Sequence, residues 1–122
     1  MSQRTEKVQK LATEILGETI QRLKDPRIGF ATVTAVRMSG DLRRARVLVS
    51  VLGSAEERSS TMAGLRSATP YLRMELGRQM PLKYLPELVF ELDTETDKAE
   101  RVEELLKQIH ERENGHDRER DE

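Results

Sequence analysis

Apolar residues in this chain alternate between helical and extended spacing, and the order of those stretches leaves few architectures open. Val8, Leu11, Ala12, Ile15, Leu16, Ile20 and Leu23 recur every three or four residues, which predicts an amphipathic helix over about 4–23. Lys24-Asp25-Pro26 ends it, because the residue before a proline is pushed out of helical backbone. The β-branched run from Phe30 to Val36, the turn residues Ser39-Gly40-Asp41, and the alternation of Ala45, Val47, Val49 and Val51 with Arg44, Arg46, Leu48 and Ser50 predict a β-hairpin. Its Arg43, Arg44 and Arg46 end is expected at the solvent edge.

Helical spacing returns near Ser54, with Met62, Ala63 and Leu65 expected inward, and breaks at Ser67-Ala68-Thr69-Pro70. Pro70 lacks a backbone donor and clashes with the preceding turn. Thr69 is expected to cap the next helix, with Pro70 in its first position. Two helices therefore meet at an elbow, the second over about 70–79 with Leu72 and Leu76 inward and Arg73 and Arg78 outward. Leu88, Phe90 and Leu92, alternating with Glu87, Val89 and Glu91, predict a last, half-buried strand. Thr94 with Asp97 marks the start of a closing helix whose apolar seam is Val102, Leu105, Leu106 and Ile109. Residues 111–122 are almost wholly charged and are expected to be a disordered tail, because they cannot bury enough surface to offset ordering entropy. That leaves one domain over 1–110.

A formal net charge of −1 hides a division along the chain. Residues 1–84 carry 15 Lys/Arg against 8 Asp/Glu, and residues 85–122 carry 6 against 14. Segregated charge bears on partners rather than on fold, and a basic first two thirds is the footprint of a protein that docks on a polyanion, nucleic acid foremost. Other classes fare worse. Without cysteine, disulfides and thiolate metal sites are excluded. His110-Glu111 is followed by His116, which is not the zinc-protease spacing. The glycines are scattered rather than gathered in a phosphate loop, and the carboxylates of the last third have no apolar pocket to separate their acidities. No enzyme, cofactor or metal is expected. The N-terminus lacks the apolar core of a secretory signal and no apolar run approaches a membrane span, so a soluble, cytoplasmic protein is expected; it is also expected to be a monomer.

The order helix, strand, strand, helix, elbow, helix, strand, helix resembles a type II KH domain. That is an α+β fold whose mixed three-stranded sheet is covered on one face by helices, with the helix-elbow-helix unit touching RNA. More narrowly, Asp25-Pro26-Arg27, Val33-Thr34-Ala35-Val36 before Ser39-Gly40-Asp41-Leu42, Ala45-Arg46-Val47, Tyr71-Leu72-Arg73-Met74-Glu75-Leu76 and Pro86-Glu87-Leu88-Val89-Phe90 with Asp93 together resemble the ribosome-binding factor A family, from about Arg4 to Ile109. The resemblance implies a bacterial assembly factor of the small ribosomal subunit. Members of that family bind the free, immature 30S particle, contact 16S ribosomal RNA, support processing of its 5′ end and late maturation, and matter most in the cold. They are not enzymes. Implied further partners are ribosomal proteins and an assembly GTPase that drives release.

Ordinary KH domains clamp single-stranded RNA with a Gly-x-x-Gly loop. The family usually has Ala-x-Gly at the elbow, and Ala68-Thr69-Pro70 keeps the alanine but replaces the glycine, which removes one amide donor and stiffens the bend. Aromatic residues are few, and Phe30 and Phe90 are expected in the core. Recognition of RNA shape and phosphates is therefore favoured over reading of bases. The predicted contacts are Arg66, Ala68, Thr69, Pro70, Arg73, Arg78 and Lys83 around the elbow, Arg43, Arg44 and Arg46 at the hairpin, and Lys7 and Lys10 on the first helix. The rival is a protein-binding module acting through the acidic closing helix and tail. A third possibility has the tail folding back over the basic face.

Overall fold

The computed structural model describes residues 3–94 and 106–110. Its elements are α1 (Gln3–Arg22), β1 (Ala31–Met38), β2 (Arg44–Val51), α2 (Ala55–Ser67), α3 (Thr69–Gln79) and β3 (Glu87–Leu92). The strands form one sheet in the order β1-β2-β3, with β1 antiparallel to β2 and β3 parallel to it. A parallel return needs a long crossover, and α2 with α3 supplies it. This mixed sheet with its helices is the α+β, KH-like architecture expected from the order of elements.

The core lies between the helices and one face of the sheet. Ala45, Val47, Val49 and Val51 of the central strand are at most 4% exposed, and they meet Leu16, Leu65, Leu72 and Leu76 from the three helices. Burying each such side chain contributes about 1.5–3 kcal/mol. Because β2 is hydrogen-bonded on both sides, its inward alternation is strict. β1, on the edge, departs from it. Val33 pairs with Val49 but Ala35 pairs with Leu48, so Thr34 is an extra residue in the ladder. Such a bulge reverses which side chains face the core: Ala31 faces it before the bulge, Val36 and Met38 after it. The Thr34 hydroxyl lies 2.6 Å from Asp93 Oδ2 and 3.2 Å from the Leu48 carbonyl, tying the bulge to the end of β3.

Several expected packing positions are corrected. On α1, Leu11 is exposed, while Thr5 and Gln9 are buried. Gln9 turns inward because its Oε1 accepts the Met38 N–H at 2.9 Å, and Gln21 donates to the Ala31 carbonyl at 2.9 Å. The two amides thus cover both ends of the open β1 edge, where unpaired backbone groups would otherwise invite another strand. Phe30 is 82% exposed rather than in the core; it precedes β1 and its carbonyl accepts from Leu52 N–H at 3.0 Å, which turns its side chain off the end of the sheet. Ala63 is exposed while Gly64 is buried, since α2 approaches the α1–β1 loop closely at Gly64.

Residues 106–110 are helical, and Leu106 and Ile109 of the predicted seam are exposed. Val102 and Leu105, the rest of the predicted closing helix, and the predicted tail 111–122 lie outside the described residues. No helix among those described is long and apolar enough to cross a membrane.

Candidate nucleic-acid interface

The elbow is built from two short helices meeting at one residue. Ser54 opens α2 with a capping box, its side chain accepting from Glu57 N–H while the Glu57 carboxylate accepts from Ser54 N–H. α2 ends at Ser67, and Ala68 (φ −83°, ψ −3°) serves both as its C-cap and as the N-cap of α3. Thr69 is therefore not the cap. It is the first helical residue, and its hydroxyl donates back to the Leu65 carbonyl at 3.2 Å, a bond available because Leu65 lies one helical turn earlier in α2. Pro70 falls in the first turn of α3, where a missing N–H leaves no bond unmade.

The elbow abuts the α1–β1 loop. Ser67 and Ala68 share a shallow depression with Lys24, Asp25, Pro26 and Arg27. Thr61, fully buried in α2, accepts from Gly29 N–H at 3.1 Å and lies 3.4 Å from the Arg27 carbonyl, fastening that loop. Arg27 forks onto Asp25 at 2.7–3.2 Å, and the guanidinium holds the Asp25 carboxyl below its ordinary pKa. The cations left exposed here without a carboxylate, among the described residues, are Arg66 and Lys24.

The remaining predicted contacts divide into three groups. Arg73 is not free: its guanidinium donates to the carbonyls of Pro86 and Leu85 at 2.9 and 3.0 Å, closing the loop before β3. Arg78, Arg44 and Arg46 are exposed but ion-paired, with Glu75 at 2.8 Å, Glu87 at 3.7 Å and Glu91 at 2.7 Å. The pairs hold the Glu75 and Glu91 carboxyls below their usual range. Exposed pairs like these are worth about 0–1 kcal/mol, so a phosphate can compete for any of these guanidinium groups. Arg43 and Lys83 form the third group. They converge on Tyr84, the Arg43 Cζ 4.4 Å and the Lys83 Nζ 5.5 Å from the ring centroid. The parallel ladder brings them together, beginning with Glu87 N–H on the Arg43 carbonyl at 2.8 Å. Arg4 lines the same end of the molecule, and Lys7 and Lys10 are exposed on the adjoining half of α1.

The predicted residues thus occupy two regions rather than one. Arg66, Ala68, Thr69 and Pro70 sit at one end of α3; Lys83, Arg43 and Arg44 sit at the other, about 16 Å away along an 11-residue helix. Sequence reading missed Lys24 and Arg4, which needed only the general signal of basic charge, and Tyr84, whose partner Arg43 is too distant in sequence for any local pattern to reveal. Among the described residues no group of three or more His, Cys, Asp or Glu side chains is placed to hold a metal.

A protein-family model described as Ribosome-binding factor A matches residues 4–106. A ribosome-binding factor A from Natranaerobius thermophilus is 43% identical over 107 residues, 87% of this chain and 82% of that protein. One from Geobacter sulfurreducens is 44% identical over 110 residues, 89% of this chain and 93% of the relative. Among solved structures, ribosome-binding factor A from Thermus thermophilus superposes with a TM-score of 0.66 at 30% identity, covering 72% of this chain and 94% of that one. A homology model of the Thermus thermophilus factor, as fitted into a cryo-EM map of its 30S complex, gives 0.58 at 32% identity, covering 68% and 88%. With a family model matching residues 4–106 of 122, and relatives this similar over most of their own length, the chain belongs to the ribosome-binding factor A family.

Proposed function

We propose that this chain is a non-catalytic assembly factor of the small ribosomal subunit. It binds the immature 30S particle in the cytoplasm, contacts 16S ribosomal RNA, and supports 5′-end processing and late maturation, with an assembly GTPase driving release. The observation that carries this reading is the family match over residues 4–106; the fit of a Thermus relative into a 30S complex map supports the particle as the partner. Exposed cations at both ends of α3, of which Arg66, Lys24, Arg43 and Lys83 have no ion-pair partner among the described residues, suit a surface that grips phosphates rather than bases.

Co-sedimentation with purified small subunits across a salt series tests it. Six phosphate contacts would make the logarithm of affinity fall against the logarithm of salt with a slope of roughly −4 to −5, at about −0.7 to −0.9 per phosphate. Salt-independent binding, or no binding to the particle, contradicts the reading. In cells depleted of the protein, precursor 16S RNA with an unprocessed 5′ end should accumulate, most strongly in the cold. A protein-binding role for the C-terminal part is a second reading favoured by one observation, the exposure of Leu106 and Ile109 on helical backbone. Removing residues 111–122 should leave subunit binding unchanged if the folded domain is the RNA-docking part.

A further inference from the structure

Apart from the shallow depression at the elbow, two clefts among the described residues have walls that differ in kind. The larger, about 790 Å³, lies between the end of α1 and the Phe30–Leu52 rim, and none of the described residues lining it is charged. The smaller, about 480 Å³, opens at the hairpin end between the start of α1, the β1–β2 turn and the loop after α3. Val8, Leu42, Pro81 and Leu82 give it an apolar wall, with Arg4, Lys83 and Tyr84 also lining it and Arg43 laid over the tyrosine ring. A polyanion favours the second.

We propose that this hairpin-end cleft is a subsite for one unpaired nucleotide of the bound RNA, its base stacked on Tyr84 and the Arg43 guanidinium and its phosphate held by Lys83 and Arg4. The proposal rests on the reading that the chain binds ribosomal RNA, and it adds a stacking contact where that reading has only phosphates.

Three features carry it. First, Arg4, Arg43 and Lys83 have no ion-pair partner among the described residues, whereas Arg27, Arg44, Arg46 and Arg78 each have one. Asp41 lines the same cleft, but its Oδ1 is turned into the hairpin, accepting from the Ser39 hydroxyl at 2.7 Å and from Arg43 N–H at 3.1 Å. Second, Tyr84 remains 47% exposed despite its two cationic neighbours. A guanidinium plane laid over a tyrosine ring that is still partly exposed is a surface of the kind on which unpaired bases stack, and the cleft's size falls within the ordinary range of ligand sites. Third, Leu42, which lines the cleft and immediately precedes Arg43, adopts φ +60°, a left-handed conformation rare for a bulky residue, so the turn at the cleft's edge has an uncommon shape. Among the described residues no Asn or Gln lines the cleft, so stacking should be tolerant of base identity.

Full-length protein and purified immature small subunits provide the test. Tyr84→Ala should weaken binding about 5- to 100-fold, the range that loss of one base stack produces, with the salt slope unchanged. Tyr84→Phe should stay within about twofold. Arg4→Gln and Lys83→Gln should each lower the salt slope by about 1. Ultraviolet crosslinking of the wild-type chain, which needs no variant to fold, should join RNA to the peptide containing Tyr84. Wild-type binding with crosslinks confined to the elbow and α1, together with an unaffected Tyr84→Ala variant, overturns the subsite and leaves the RNA-binding reading intact. Failure of the wild-type chain to bind the particle removes both.

Discussion

The guanidinium of Arg73 closes the loop that delivers Lys83 and Tyr84 to the hairpin, by donating to two carbonyls that precede β3. A neutral replacement leaves those carbonyls short of a charged donor, and hydrogen bonds to charged groups are worth about 1.5–3 kcal/mol. Arg73→Ala should therefore lower stability by about 1–3 kcal/mol in urea unfolding, whereas Arg66→Ala, on the surface, should stay within about 0.5 kcal/mol. Equal effects would show that Arg73 is an ordinary surface cation. Thr34 makes a similar distinction. Its hydroxyl sits 2.6 Å from the Asp93 carboxylate, and Thr34→Val, which keeps the branched shape, should cost about 1–2 kcal/mol by the same measurement.

At the scale of elements, the elbow depends on how closely α2 lies against the α1–β1 loop. A Cβ added at Gly64 would meet Ile28 Cγ1 at 2.6 Å. Alanine is the better helix former by about 1 kcal/mol, yet Gly64→Ala should destabilise by about 1–3 kcal/mol because the crowding outweighs the propensity. A stabilised variant would mean that the loop yields freely. Pro70 acts in the opposite sense. It removes freedom from the unfolded chain without removing a bond from the folded one, so Pro70→Ala should cost about 0.4–1 kcal/mol and leave the bend in place. The bend itself is set by the change of cap at Ala68 and the packing of Leu65, Leu72 and Leu76 into one core.

Over the whole molecule, charge is distributed so that acid and salt act on different functions. Asp25, Glu75 and Glu91 are held below their ordinary pKa values first by hydrogen bonds from Arg27, Arg78 and Arg46, and Asp41 by the Ser39 hydroxyl. A depressed carboxyl contributes its stabilisation fully above the unfolded value, about 4, and loses it as pH falls through the folded value. The melting temperature should therefore be level from pH 8 to 5 as far as these groups are concerned and fall below about pH 4. A decline beginning near pH 6 would point to another group. On the proposed reading salt should weaken particle binding far more than folding, because phosphate contacts by the cations at both ends of α3 would release counterions, whereas the ion pairs within the fold add little to its stability.

Spacing and punctuation are local properties, so the elements and their order could be read from the chain: the stripe of α1, the alternation of β2, the break at Pro70, and the motifs that resemble the family. Local composition also showed that basic charge gathers in residues 1–84. It did not reveal the bulge at Thr34, although the shift of apolar parity from Ala31 to Val36 and Met38 was its trace, nor the exposure of Phe30. Those depend on what lies across the sheet. Which arginines are free was decided only by tertiary structure, because an arginine on a helix face finds its carboxylate or carbonyl partner through packing. The meeting of Arg43 with Tyr84 follows from the parallel pairing of β2 with β3, a contact between distant segments that no window of sequence contains.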